Sequence, residues 1–427
     1  MTEHAAPGNS ISPRRVYLHI GAPKTGTTYL QMMLDAHRDQ LAADGVFYPK
    51  TRGSAHHVEA RDLRRARPRH GFVNPAGPGS WDRLARMVGE WGGPGHVVLS
   101  SELLVYGTAA HAKRAIRSLQ PAEVHLVVTL RDLVRQVPAV WQERVKNGST
   151  MDYGAFLRRL EEDQGRGVWN AQDPVRILER WAQGVPPERV HLVTVPPPGS
   201  DPRLLWTRFA QVIGVDAHAY ASVPKGANTS LGLAETEVMR RINAQLEKVS
   251  WQFYSKHIKV GLAQDVLARR SEGARLLLPE ELLPLVERRS KRIIETVGGQ
   301  GFDIVGDLDD LLPPPDGRGV GKVLEPEVEQ LADASAVAAD YLARGFAQAW
   351  TRAQRAGKPG KDQQVAKKAV SKKPGAKKVA AKKTAAKKTA KKAATNRAGG
   401  PQQGRQGATQ AGTLRRGYDS LRRRLRG

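Results

Sequence analysis

Val16-Tyr17-Leu18-His19-Ile20-Gly21-Ala22-Pro23-Lys24-Thr25-Gly26-Thr27-Thr28-Tyr29-Leu30-Gln31-Met32-Met33-Leu34 is the stretch on which the fold turns. The apolar run ending at Ile20 predicts a strand, G-A-P-K-T-G-T-T a tight loop, and Tyr29 onward a helix. A helix start with free N–H groups and small hydroxyl residues attracts an anion, most often a phosphate. A Walker A loop would need G-x-x-x-x-G-K-[ST], with lysine after the second glycine. Here Gly21 and Gly26 keep the spacing, but Thr27 stands in the lysine position. The loop's lysine, Lys24, lies earlier, where it reaches across the loop mouth towards a departing phosphate. With no acidic metal partner evident, a P-loop kinase is the least favoured of the nucleotide-binding readings.

Working outward, Arg15–Ile20, His96–Ser100, Val124–Leu130 and Val190–Val195 are strand candidates. The first, third and fourth are mostly apolar runs, as parallel strands buried on both faces require. Helical stretches separate them: Thr28–Ala43, Trp81–Trp91, Ala109–Leu119, Leu133–Val145, Met151–Glu162, Pro174–Gln183 and Leu204–Ile213. The alternation predicts an α/β fold of P-loop-like type, a doubly wound parallel sheet flanked by helices, with ligands at the strand C-terminal ends. Leu231–Leu246 and Leu283–Val297 add helices suited to a C-terminal cap.

Residues 1–13 are polar and expected to be flexible, with no apolar stretch of the kind a secretory signal has. Residues 14–312 are expected to form the α/β domain, 313–325 a Pro/Gly linker, and 326–355 an amphipathic helix that docks on the domain or pairs copies into a homodimer. From 356 to 412 a Lys/Ala/Thr-rich stretch and a Gly/Gln linker predict disorder, because such composition buries nothing and repels itself. Residues 413–427 regain helical periodicity through Leu414, Tyr418, Leu421 and Leu425 and form a basic amphipathic helix.

Of the 427 residues none is cysteine, which excludes disulfides and thiol chemistry and suits a reducing cytoplasm. No apolar run approaches the ~18 residues that suggest a membrane span. Charge is uneven: 24 of 68 Lys and Arg, but two of 42 Asp and Glu, lie from Thr351 onward. That stretch carries +22 of the net +26, and the preceding 350 residues carry +4. A flexible polycation binds any polyanion by counterion release, so DNA, RNA, polyphosphate and anionic membrane are all expected partners of the tail. The chain is therefore expected in the cytoplasm, drawn to the nucleoid or to a membrane surface.

P-K-T-G-T-T after a first strand resembles the 5′-phosphosulfate loop of sulfotransferases that use 3′-phosphoadenosine 5′-phosphosulfate (PAPS), in particular actinobacterial-type sulfotransferase-like proteins. The resemblance covers about residues 14–312, and the tail looks like that of a linker histone or bacterial histone-like protein. It implies transfer of a sulfuryl group from PAPS, with no metal, to a hydroxyl or amine of a carbohydrate, glycolipid or small metabolite. Lys24 matches the family's loop lysine, catalytic and cofactor-binding at once. Thr25, Gly26, Thr27 and Thr28 match the rest of the loop, with Thr27 and Thr28 also suited to helix capping. Arg131, just past the strand Val127-Val128-Thr129-Leu130, resembles the family's 3′-phosphate-binding arginine, and guanidinium suits bidentate phosphate contact. The family usually places a serine eight residues later, where this chain has Ala139. Asn228 and Ser230 lie in a segment that resembles one closing over the nucleotide.

In-line displacement at sulfur needs cationic and N–H stabilisation of the leaving phosphate and a base for the acceptor proton. His56, in the His56-His57 pair after Gly45-Val46-Phe47-Tyr48-Pro49, and Glu102, after the strand ending Leu99-Ser100-Ser101, are the candidates, with His56 preferred. The rival reading is a sulfotransferase-fold protein that binds the nucleotide without turnover and is tethered to nucleic acid or anionic membrane by its tail. Ala139 is the residue that favours it.

Overall fold

The computed structural model describes residues 14–53, 55–65, 77–162, 167–220, 230–247, 249–270, 274–322 and 325–356. Expectations for 1–13, for 357–427 and for Asn228 fall outside them. Among the described residues eight strands run in chain order: β1 (Arg15–His19), β2 (Val46–Phe47), β3 (His96–Ser100), β4 (Glu123–Leu130), β5 (Val190–Thr194), β6 (Leu278–Pro279), β7 (Asp303–Val305) and β8 (Val320–Gly321). Six form one sheet in the order β2-β3-β1-β4-β5-β7, every neighbouring pair parallel.

Strand periodicity of two explains why both faces are covered. Val16, Leu18, Leu126, Val128 and Leu192 point into one core with Trp81, Trp141, Phe156 and Trp181. Tyr17, Val127 and Val193 point into the other with Leu30, Met33, Trp206 and Phe209. The Thr27–Ala36 and Leu204–Ile213 helices cover that second face. The result is an α/β/α sandwich, as the alternation of apolar runs and amphipathic helices requires.

Strand order also places the site. The chain leaves β1 towards β3 and leaves β4 towards β5, so neighbouring β1 and β4 send their connections opposite ways. Parallel sheets open a crevice at such a switch point. Its two lips are the Gly21–Gly26 loop and the turn at Arg131.

Several features depart from the linear pattern. The first helix breaks at His37, giving Thr27–Ala36 and Arg38–Ala43. Residues 254–264 form a wide-bore π-helix, which has no propensity signature. The stretch expected as a plain linker contributes β8, which pairs with β6. The Val328–Ala356 helix packs its first half against the Leu233–Gln245 helix and the π-helix.

Candidate functional site

The loop after β1 is held open by its own backbone. Gly26 has φ 81° and Lys24 φ 73°. The first is routine for glycine; the second is an unusual place for a side chain and signals local strain. Space also demands the glycines: a Cβ on Gly21 would lie 1.9 Å from Thr27 Cγ2, and one on Gly26 2.3 Å from Leu205 Cδ2. Thr25 Oγ1 donates to Ala22 O (2.7 Å) and meets Thr129 Oγ1 at 2.6 Å, tying the loop to β4. No side chain caps the Thr27–Ala36 helix. Its first N–H groups are thus left for an external acceptor.

Arg131 faces this loop from the end of β4. Its Nη1 donates to Lys24 O at 2.9 Å, while its buried Nε has no partner among the described residues. Burial, with Arg135 beside it, brings the guanidinium down to about 10, so it stays charged at neutral pH. Arg135 pairs with Asp132 and donates to Pro196 O. Gln136 is buried and spent on Pro23 O (3.2 Å) and Gln172 Oε1 (2.7 Å). Ala139 itself lines the cavity.

Lys24 Nζ donates to Glu143 Oε2 at 2.7 Å. Glu143 also receives Lys259 Nζ at 2.9 Å and has Lys146 Nζ at 3.5 Å. Three ammonium groups from three elements thus converge on one carboxylate. Burial alone would push the Glu143 carboxyl up, but Lys24, Lys259 and Lys146 together hold it well below the usual carboxylate range. Burial, with Lys24 nearby, lowers the Lys146 ammonium to about 8. Such a cluster is a cationic site whose anion is supplied internally.

Lys24, Arg131, Arg135, Glu143, Lys146 and Lys259 open on one cavity of about 1990 Å³, which Pro196-Pro197-Pro198 and Arg318 also line. That exceeds the several hundred Å³ of an ordinary single-ligand pocket and has room for a donor and an acceptor together.

The two base candidates are placed very differently. His56 does not reach the cavity. Its ring is buried, with Nε2 donating to Pro49 O (3.0 Å) and Nδ1 accepting from Ser100 N–H (3.1 Å). Burial lowers it to about 4. It pins the segment after β2 to β3, so the residue expected as base lies outside the cavity lining. The neighbouring His57 opens the next helix and lines the cavity, with Nδ1 2.9 Å from Ser101 Oγ and Nε2 3.5 Å from Glu102 Oε1. Which of two adjacent histidines faces the cavity depends on where the helix begins, and no local pattern reveals that. Glu102 lines the cavity at the start of a 3₁₀ turn, and the cap of that turn is Ser101, which accepts from Leu103 N–H. Gln31 Nε2 donates to both Glu102 Oε2 (3.1 Å) and Ser100 Oγ (3.2 Å). Ser230 lines the cavity as well.

The sequence left three participants unread. Lys259 sits on the π-helix and enters the site only through tertiary packing. Glu143 lies within W-Q-E-R-V-K, yet its role depends on Lys24 and Lys259 from elsewhere. His19 is buried at the end of β1, two residues before Gly21, 2.9 Å from Ser100 Oγ and 3.5 Å from Thr129 Oγ1. Burial lowers it to about 3, so it is a neutral linker between the two strand ends.

No family model matches the chain, and no curated protein matches it. Among solved structures it is similar to a sulfotransferase from Alicyclobacillus acidocaldarius. The identity is 16% and the TM-score 0.35, over 57% of this chain and 99% of that one. At that level the likeness carries no argument about this chain.

Proposed function

We propose that the cavity binds PAPS and transfers its sulfuryl group to a hydroxyl or amine acceptor. The observation that carries this reading is the position of Lys24. It precedes the second glycine of an uncapped helix-start loop and meets Lys146 and Lys259 at one point of the cavity. A triphosphate loop would instead run its lysine along the phosphate chain from the helix side. Arg131, whose buried Nε is unpartnered among the described residues, is suited to the 3′-phosphate.

In the proposed reaction the acceptor oxygen or nitrogen forms a bond to sulfur as the bond from sulfur to the 5′-phosphate oxygen breaks. The electron pair of that bond stays on the phosphate, where Lys24 and the loop N–H groups stabilise it. The acceptor proton passes to Glu102, which His57 and Gln31 hold towards the cavity. Glu143, ringed by lysines, is too weak a base for that step.

A second reading, nucleotide binding without turnover, is favoured by Ala139, which offers no hydroxyl where the cavity would meet the 3′-phosphate. One experiment addresses both. Titration calorimetry of wild type and Lys24→Ala with 3′-phosphoadenosine 5′-phosphate should give binding that is weaker in the variant. Mg²⁺–ATP serves as the control. Release of the same bisphosphate from PAPS by wild type alone supports transfer, and binding without release supports the second reading. Tighter binding of Mg²⁺–ATP than of the bisphosphate refutes both.

A further inference from the structure

The Val328–Ala356 helix changes partners halfway. Up to Tyr341 it is docked: Ala334 and Ala338 are buried, and Tyr341 Oη donates to His257 O at 3.1 Å. From Leu342 to Arg355 every side chain is exposed. Yet this half is not a polar helix. Leu342, Phe346 and Trp350 follow one another at four-residue spacing and are 39%, 70% and 60% exposed. Phe346 and Trp350 stack on each other with centroids 6.4 Å apart. Ala349 and Ala353 lie beside them on the same face, and Arg344, Gln348, Thr351 and Arg355 lie opposite. At 3.6 residues per turn the exposed row is rotated by roughly a quarter turn from the docked one. It is a separate apolar face, and nothing among the described residues covers it.

Charge selects the occupant. Between Tyr341 and Ala356 the charged residues are Arg344, which pairs with Asp340 one turn earlier, Arg352 and Arg355, and the sequence continues into the Lys-rich stretch. A second copy would add its own Lys-rich stretch to the first, like charge on like charge. A phosphate backbone would satisfy the arginines but leave Leu342, Phe346 and Trp350 in water. An anionic lipid surface answers both, because it takes an aromatic row into its headgroup boundary while the positive charge of Arg352, beside the row, and of the Lys-rich sequence that follows is drawn to the lipid phosphates. None of the described helices is long and apolar enough to cross a membrane, so the helix would lie along the surface. We infer that the Leu342–Arg355 half of this helix docks the protein on an anionic membrane through Leu342, Phe346 and Trp350.

The test is sedimentation of the full chain with phosphatidylcholine vesicles with and without phosphatidylglycerol, comparing wild type with Phe346→Ser/Trp350→Ser. Both side chains are exposed, so the variant should melt as wild type does. Wild type should bind the anionic vesicles. The variant should bind on the order of tenfold or more weakly. What binding remains should vanish in high salt, because only the screened electrostatic part is left. A vesicle-induced blue shift of tryptophan emission should also be lost in Trp350→Phe. Equal vesicle binding by wild type and variant overturns the proposal, as does a wild type that ignores anionic vesicles. An equal loss of affinity for DNA would assign the row to nucleic acid. A wild-type dimer that the variant dissociates would assign it to a second copy. Either result also overturns the proposal.

Discussion

Replacing Glu143 by Gln leaves the cavity's shape but deletes the one carboxylate that Lys24, Lys259 and Lys146 share. Removing one partner of a largely buried ionic cluster costs about 3–5 kcal/mol. Here the lower end applies, because Lys24 and Lys259 are partly exposed and Lys146, already lowered to about 8, sheds its proton once its counter-charge is gone. In a domain of this size about 3 kcal/mol corresponds to a melting point lower by about 3–6 °C. The bisphosphate should act in the opposite sense. In wild type it must take Lys24 from Glu143 and approach a carboxylate, whereas in the variant neither obstacle remains. Sparing one charge-assisted hydrogen bond of about 1.5 kcal/mol tightens binding roughly tenfold. Saturating ligand should then restore much of the lost melting temperature by linkage. Thermal melts of both proteins, with and without 3′-phosphoadenosine 5′-phosphate, check this. A variant that melts like wild type and binds the bisphosphate no better would refute the claim that Glu143 stands in for the ligand's charge.

Two further outcomes follow from the same geometry. Glu102→Gln should lower sulfuryl transfer by about 10²–10⁴-fold with bisphosphate affinity unchanged, as loss of a base does. His56→Gln, with wild-type kinetics per folded molecule, should lose stability instead; the reverse pattern in single-turnover assays would restore His56 as the base. The buried neutral histidines also set a pH dependence. The folded values of His19 and His56, about 3 and about 4, lie below the unfolded value near 6.5. The unfolded chain therefore binds more protons in acid. Their contribution is complete above pH 6.5 and is lost as pH falls towards 4, on the order of 3 kcal/mol each. Urea unfolding between pH 7 and 4 measures it, and a flat profile would mean that these rings are not buried in neutral form.

Much of this was legible in the chain because its causes are local. Val16–Ile20, Val124–Leu130 and Val190–Val195 are mostly apolar runs, the pattern of parallel strands buried on both faces. Gly21, Gly26 and the three threonines of the loop declared an anion-binding helix start, and Lys24 stood out by being early in it. Arg131 was visible as a cation ending a buried strand. What the sequence could not decide was which side chains meet. His56 and His57 are equivalent on paper; only the helix beginning at His57 turns one ring into the protein and the other into the cavity. The carboxylate of Glu143, the ammonium of Lys146 and that of Lys259 lie up to 116 residues apart. They form one site because the Leu133–Lys146 helix and an unforeseeable π-helix pack over the same switch point. The Val328–Ala356 periodicity announced an amphipathic helix, but not that its docked and exposed apolar rows point different ways. Hydrophobic patterning is written residue by residue along the chain. The convergence of charges depends on how distant elements pack, and only the tertiary structure settles that.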